Sequence, residues 1–255
     1  MKDYSYLGSG IVLIREWNSN AIWEELGNTS AFSINPQVNT LQLPDYQNPG
    51  GGIQNRVDRI TDWQLSLTFH DINTANLARF TRGKATPVSA ATVSPEAHHA
   101  YKGSYVPLKY PATKINSVTG PSGSPSYTVD EDYFLDRGMV FIPATSSIPN
   151  GDGATPNIEV NYDHADIGHV EAGVTSQKFY ELHLQAANEA GAGKLVQVRA
   201  HKINGGMLES LSLLGDEYAS ATVTQSLVKD SAKKTSADHS EYFYWNQEED
   251  AVSGS

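Results

Sequence analysis

Apolar and polar residues alternate with a period of two along most of this chain. The clearest case is 61–70. Trp63, Leu65, Leu67 and Phe69 share one face, and Asp62, Gln64, Ser66, Thr68 and His70 share the other. That pattern predicts a strand with one dry and one wet side. The segments 11–16 and 30–34 read as further strands. In the last third, Tyr180, Leu182 and Leu184 alternate with Phe179, Glu181, His183 and Gln185. A strand at 195–202 follows the glycine-rich turn at 189–193. Ala219, Ala221, Val223 and Leu227 then alternate with Ser220, Thr222, Thr224 and Ser226, and Gln225 interrupts the apolar side.

The spacing predicts one helix, over 72–82, with Asp71 as its cap and Leu77 and Phe80 on one face. Arg79 and Arg82 suit its C-terminal end, and Gly83 is the expected stop. The block 87–166 is rich in proline and turns and is expected to be a β-rich insertion or subdomain in a core made of 1–86 and 167–255. Within it, 115–118, 127–129 and 158–162 read as strands, and 133–142 as a hairpin turning at Asp136-Arg137-Gly138. After Lys234 the tail is acidic, and its end reads as disordered.

Between these strands, 35–60 shows little regular pattern and is expected to be a long loop. Loops beyond about 12–15 residues are uncommon unless they are functional or disordered. This one carries Leu41, Leu43 and Tyr46, which free solvent disfavours, and the run Gly50, Gly51 and Gly52. Two readings compete: a β-hairpin with a flexible tip, or an arm that orders against a partner. The arm's candidate residues are Leu41, Leu43, Asp45, Tyr46, Gly50 to Gly52, Arg56, Asp58 and Arg59.

Composition narrows the function classes. Eighteen basic and 29 acidic residues among 255 give a formal charge of −11, which disfavours tight phosphate binding. There is no cysteine, so thiol nucleophiles, thiolate metal sites and disulfides are excluded. No apolar run approaches the roughly 20 residues of a membrane helix. The patch at 11–14 is too short for a signal-peptide core of about 7–15 residues, so a soluble, acidic protein made in the cytoplasm of a cell is the starting expectation.

Catalytic chemistry finds little support. His98 and His99 face opposite ways on a strand. His164 and His169, with Asp163 and Asp166 nearby, fit no zinc spacing, and Asp130-Glu131-Asp132 lacks the pattern of a calcium loop. No phosphate loop, dinucleotide fingerprint or nucleophile elbow is present. No catalytic residue, metal or cofactor is expected. Thirteen Tyr and four Trp leave an extracellular carbohydrate-binding β-sandwich as a distant alternative.

An ordered set of segments points elsewhere. It comprises 6–15, 28–34, Asp45-Tyr46 with Gly50 to Gly52, Arg59-Ile60, Phe69-His70-Asp71, 75–79, 179–184, 187–191 and 211–218. Together they resemble the major tail protein, or tail tube protein, of long non-contractile-tailed bacteriophages. The resemblance covers most of the chain and is weakest in the proline-rich middle. It implies a tail-tube-type β-sandwich or barrel with one flanking helix and a long inter-strand loop. It implies hexameric rings that stack into a hollow tube in the virion tail. The expected partners are the chain itself, the tail tip, tape measure and terminator proteins, and viral DNA that passes through the lumen without specific binding; no membrane is involved. A tail terminator or a secretion-type tube subunit is the related alternative. On this resemblance the lumen-facing candidates are Gln64, Ser66, Thr68, Glu181, His183, Gln185, Ser220, Thr222 and Thr224.

Overall fold

A computed structural model describes residues 5–191 and 193–249. The fold is mainly β: 52% strand and 6% helix, in several antiparallel sheets with one α-helix. The chain divides into two compact units, one formed by Met1–Ala85 with Val170–Ser255 and the other by Thr86–His169. The sequence pattern had the insertion at 87–166.

In the first unit the chain runs through β1 (Gly8–Glu16), β2 (Glu24–Glu25), β3 (Thr29–Pro44), β4 (Ile53–Phe69) and α1 (Thr74–Phe80). It leaves along β5 (Lys84–Val88). The second unit holds β6 (Ala91–His98), β7 (Ser104–Val106), β8 (Ala112–Thr119), β9 (Phe134–Asp136), β10 (Met139–Ile142) and β11 (Ile158–His164). The chain returns along β12 (Ile167–Glu171), which pairs with β5. It then forms β13 (Tyr180–Asn188), β14 (Lys194–Ile203), β15 (Leu208–Ser212), β16 (Ser220–Ser226) and β17 (Phe243–Gln247).

Two sheets make up the first unit, in the orders β17-β14-β13-β1-β2 and β15-β16-β4-β3. Their inner faces share one core. Val12, Ile14, Leu182 and Ala200 come from the five-stranded sheet, and Leu65, Leu67, Phe69, Ala221 and Val223 from the four-stranded one. The alternation in β4 thus places its apolar side as predicted, with Leu65, Leu67 and Phe69 fully buried. Phe80 of α1 enters the same core against Phe69, ring centroids 5.4 Å apart.

The helix is shorter than 72–82. Asn73, not Asp71, is the cap: it is extended (φ −118°, ψ 165°), and its side-chain oxygen accepts from the Asn76 N–H at 2.9 Å. The helix ends at Thr81, and Arg82 rather than Gly83 takes the left-handed conformation, at φ 50°. The acidic tail is also more ordered than its composition suggests. Phe243–Gln247 is a strand on the edge of the five-stranded sheet; residues 250–255 lie outside the described residues.

The second unit has its own core. Val118, Tyr133, Val140, Ile142, Ile158 and Tyr162 are among its buried residues. Its sheets are β6-β11-β8 and β7-β10-β9. The hairpin expected at 133–142 turns on Arg137 (φ 49°) and Gly138 (φ 76°), the two positive φ angles of a tight primed turn. The segment 127–129 is not a regular strand; Val129 makes only an isolated bridge to Tyr133.

Candidate functional site: a hydroxyl-lined sheet face and a free ribbon

The segment expected to be a loop over 35–60 is a β-ribbon. β3 and β4 pair continuously from Thr29↔Phe69 to Pro44↔Ile53. Only 45–52 turns, closed by the Asp45 N–H donating to the Gly52 carbonyl at 2.9 Å. Asp45 orders the tip: its carboxylate accepts from the Gln47 N–H at 2.8 Å and the Asn48 side-chain amide at 2.7 Å. These bonds, the Asn48 one foremost, hold its pKa below the usual carboxylate value. Gly50, Gly51 and Gly52 all have positive φ (110°, 70° and 144°), which explains three consecutive glycines there.

β16 pairs with β4 only as far as Gln64. The ribbon from Gln37 and Asp62 outward therefore runs free for about eight residues, roughly 25 Å at about 3.3 Å per residue. Register puts Leu41 opposite Val57 and Leu43 opposite Asn55 on one face, and Thr40 opposite Asp58 and Gln42 opposite Arg56 on the other. On the Thr40 face Asp58 accepts from Thr40 at 2.6 Å and pairs with Arg56 at 3.0 Å. The Thr40 bond, followed by Arg56, lowers the Asp58 pKa. On the opposite face, which also carries Asn39 and Asn55, Leu41 and Leu43 are each 49% exposed, and Tyr46 at the tip is 81% exposed. Arg59 shares that face opposite Asn39.

The nine polar positions of the sequence reading do not share one surface. Six do. Thr222 pairs with Thr68 and Thr224 with Ser66, their hydroxyls 3.2 and 3.3 Å apart, and Ser220 continues the row. Gln64 lies opposite Ser226 and reaches the Gln37 side chain at 3.0 Å. Pairing extends the face to Ser33, opposite Ser66, and Asn35, opposite Gln64, on β3, and to Ser210 and Ser212 on β15. Asp62 is bonded by the Ser226 hydroxyl at 2.7 Å. Within the four-stranded part these paired rows carry hydroxyls, amides and one carboxylate and no Lys or Arg, whereas on the ribbon the same β3 face continues to Asn39, opposite Arg59. Ser33 and Asn35 were legible in the alternation around Phe32 and Ile34; Ser210 and Ser212 were not, since β15 is short and follows two glycines.

Glu181, His183 and Gln185 belong to β13, on the outer face of the other sheet. The two outer faces point away from one core and cannot line the same surface. Nor is Glu181 on a wet face: it is 4% exposed. Its carboxylate accepts from Arg15 at 2.9 Å and Arg199 at 2.7 Å, one from each flanking strand. Burial pushes its pKa up, but the bonds and charges of Arg199 and Arg15 outweigh this and hold it below the usual value. Both guanidiniums lie over the Trp23 ring, at 4.4 and 5.3 Å. His183 beside them is held below the usual histidine range, by burial first and then by Arg199.

Among the described residues no three His, Asp or Glu side chains converge as a metal-binding group, and no helix is long and apolar enough to cross a membrane. A family model matches residues 5–246, under the description "Protein of unknown function UCP028589". No curated protein matches the chain.

Proposed function

The chain belongs to that family of unknown function, so its role must come from geometry, and we propose that it is a tail tube subunit of a long-tailed bacteriophage, a structural protein and not an enzyme. The observation that carries the reading is a four-stranded sheet whose outer paired rows carry hydroxyls and no Lys or Arg, with a free ribbon beyond it that holds Leu41 and Leu43 half exposed. Six copies joined edge to edge, β3 to the next β15, would form a closed barrel of 24 strands. At about 4.8 Å between strands its backbone circumference is roughly 115 Å, a diameter of roughly 37 Å or more. Closure would also pair both open edges.

In this reading the sheet's outer face, with Gln64, Ser66, Thr68, Ser220, Thr222 and Thr224, lines the lumen. Small hydroxyl side chains leave the bore wide, and the absence of Lys and Arg from the paired rows lets DNA pass without phosphate contacts. The ribbon reaches a neighbouring subunit or ring and buries Leu41, Leu43 and Tyr46 there. Glu181, His183 and Gln185, on the opposite face, lie away from the bore. Lateral closure with head-to-tail stacking yields a tube, located in the virion tail, whose other partners are tail tip, tape measure and terminator proteins.

Electron microscopy of the purified full-length chain at high concentration is the test. Hollow tubes of stacked six-fold rings are expected. Isolated rings that never stack would favour a terminator-type role, and monomers throughout would overturn the proposal.

A further inference from the structure

A ring built by rotation needs two different complementary patches on every subunit. The first unit carries a matched pair. A cleft of about 400 Å³ lies beside α1, and five cations line it: Arg15, Arg79, Arg82, Lys84 and Lys178. Three are committed. Arg15 holds Glu181, Arg79 pairs with Glu24, and Lys178 pairs with Glu16 at 2.9 Å. Arg82 and Lys84 remain. The Arg82 Nε is buried and has no hydrogen-bond partner, and Lys84 is exposed. In a chain with 18 cations against 29 carboxylates, a cation-rich cleft runs against the overall charge. The same cleft has an apolar side of Ala21, Ala75, Ala78 and Ala85, with Ile22 at 79% exposure. Small alanines leave room for larger side chains.

The complementary segment is 213–218, Leu-Leu-Gly-Asp-Glu-Tyr, between β15 and β16. Leu214 is 94% exposed and Tyr218 93%. Two fully exposed large apolar residues flanking Asp216 and Glu217 are the signature of a segment that becomes covered. The loop is anchored at its base, where His70 Nδ1 lies 3.0 Å from the Ala219 carbonyl. It offers two carboxylates and large apolar side chains; the cleft offers two uncommitted cations and a floor of alanines. The two patches share no residue.

We infer that the cleft beside α1 receives the 213–218 loop of a second copy of this chain, with Asp216 and Glu217 meeting Arg82 and Lys84, and that this contact joins neighbours around the ring. The inference rests on the tube-subunit reading and adds a second contact between neighbours to the β3–β15 edge pairing of that reading.

The absence of cysteine makes the experiment clean. The double variant Lys84→Cys/Glu217→Cys is assembled and then cross-linked by oxidation or with a short bismaleimide. A covalent ladder reaching the hexamer is expected, and neither single variant should go beyond a dimer. Separately, Asp216→Lys/Glu217→Lys alters only exposed positions, so the monomer should melt as the wild type does, while the concentration needed for rings rises at least tenfold. If the wild type forms tubes but the ladder is missing and the lysine variant assembles normally, this contact is wrong and the tube reading stands. If the wild type never assembles, both are overturned.

Discussion

Replacing Leu41 and Leu43 by serine tests the assembly arm without touching the fold. Both residues lie on one face of the free ribbon, each about half exposed, and neither belongs to the core cluster. Complete burial of a leucine stabilises by roughly 1.5–3 kcal/mol. Covering the half still open in the monomer therefore contributes about 1 kcal/mol per residue, or about 2 kcal/mol per arm for the pair. At about 1.4 kcal/mol per factor of ten, the critical concentration for tube formation should rise roughly thirtyfold in Leu41→Ser/Leu43→Ser. Sedimentation of assembled material across a dilution series reads this directly. The control is Gln42→Ser, on the opposite face one position away, which should shift it by less than about threefold, since a surface change of this kind stays within about 0.5 kcal/mol. Thermal unfolding of the unassembled double variant should match the wild type. Tubes forming at the wild-type concentration would refute the burial of this face, whatever else holds the rings together.

Three further outcomes are expected. In the lumen reading, Thr68→Lys/Thr222→Lys adds twelve lysines to each six-copy ring, so assembled tubes should retain DNA in a filter assay at low salt and release it as salt rises, whereas wild-type tubes retain none; lysine tubes that ignore DNA would exclude this face from the bore. Stability should fall on acidification, because His183 and His201 have pKa values held below the ordinary 6.5: the unfolded chain takes up protons that the folded chain refuses, so stability is complete above about pH 6.5 and declines as pH falls below it. Glu181 adds a second loss at lower pH, since its stabilising contribution, present above the ordinary 4.5, disappears as pH falls through its depressed value. Urea midpoints measured from about pH 7.5 down to about pH 2.5 check both, and His201→Gln should flatten the upper part of the curve. Finally, residues 86–169 have a separate buried core, so this segment expressed alone should unfold cooperatively in urea; a non-cooperative transition would show that its core depends on the rest of the chain.

What the amino-acid sequence determined was local. Ten alternating residues at 61–70 suffice to orient β4, because a period of two assigns each side chain to one of two faces and the apolar four demand the dry one. The rest needed pairing. The ribbon at 35–60 escaped the pattern because solvent meets both its faces, so no burial enforces alternation. Irregular pairing at Gln37/Val38 and Leu43/Pro44 breaks its phase further. Glu181 sits on the polar side of its strand, and only the fold shows that Arg15, 166 residues away, and Arg199, 18 away, convert that side into a buried ion cluster. Asn73 displaced Asp71 as helix cap by a two-residue difference in where the chain turns, which either residue type permits. Alternation tells each strand which of its faces is wet, but not which wet faces adjoin. Thr68 and Thr222 became neighbours, and Glu181 was sent to the far side of the core, through strand order, which is set by contacts between residues more than a hundred positions apart.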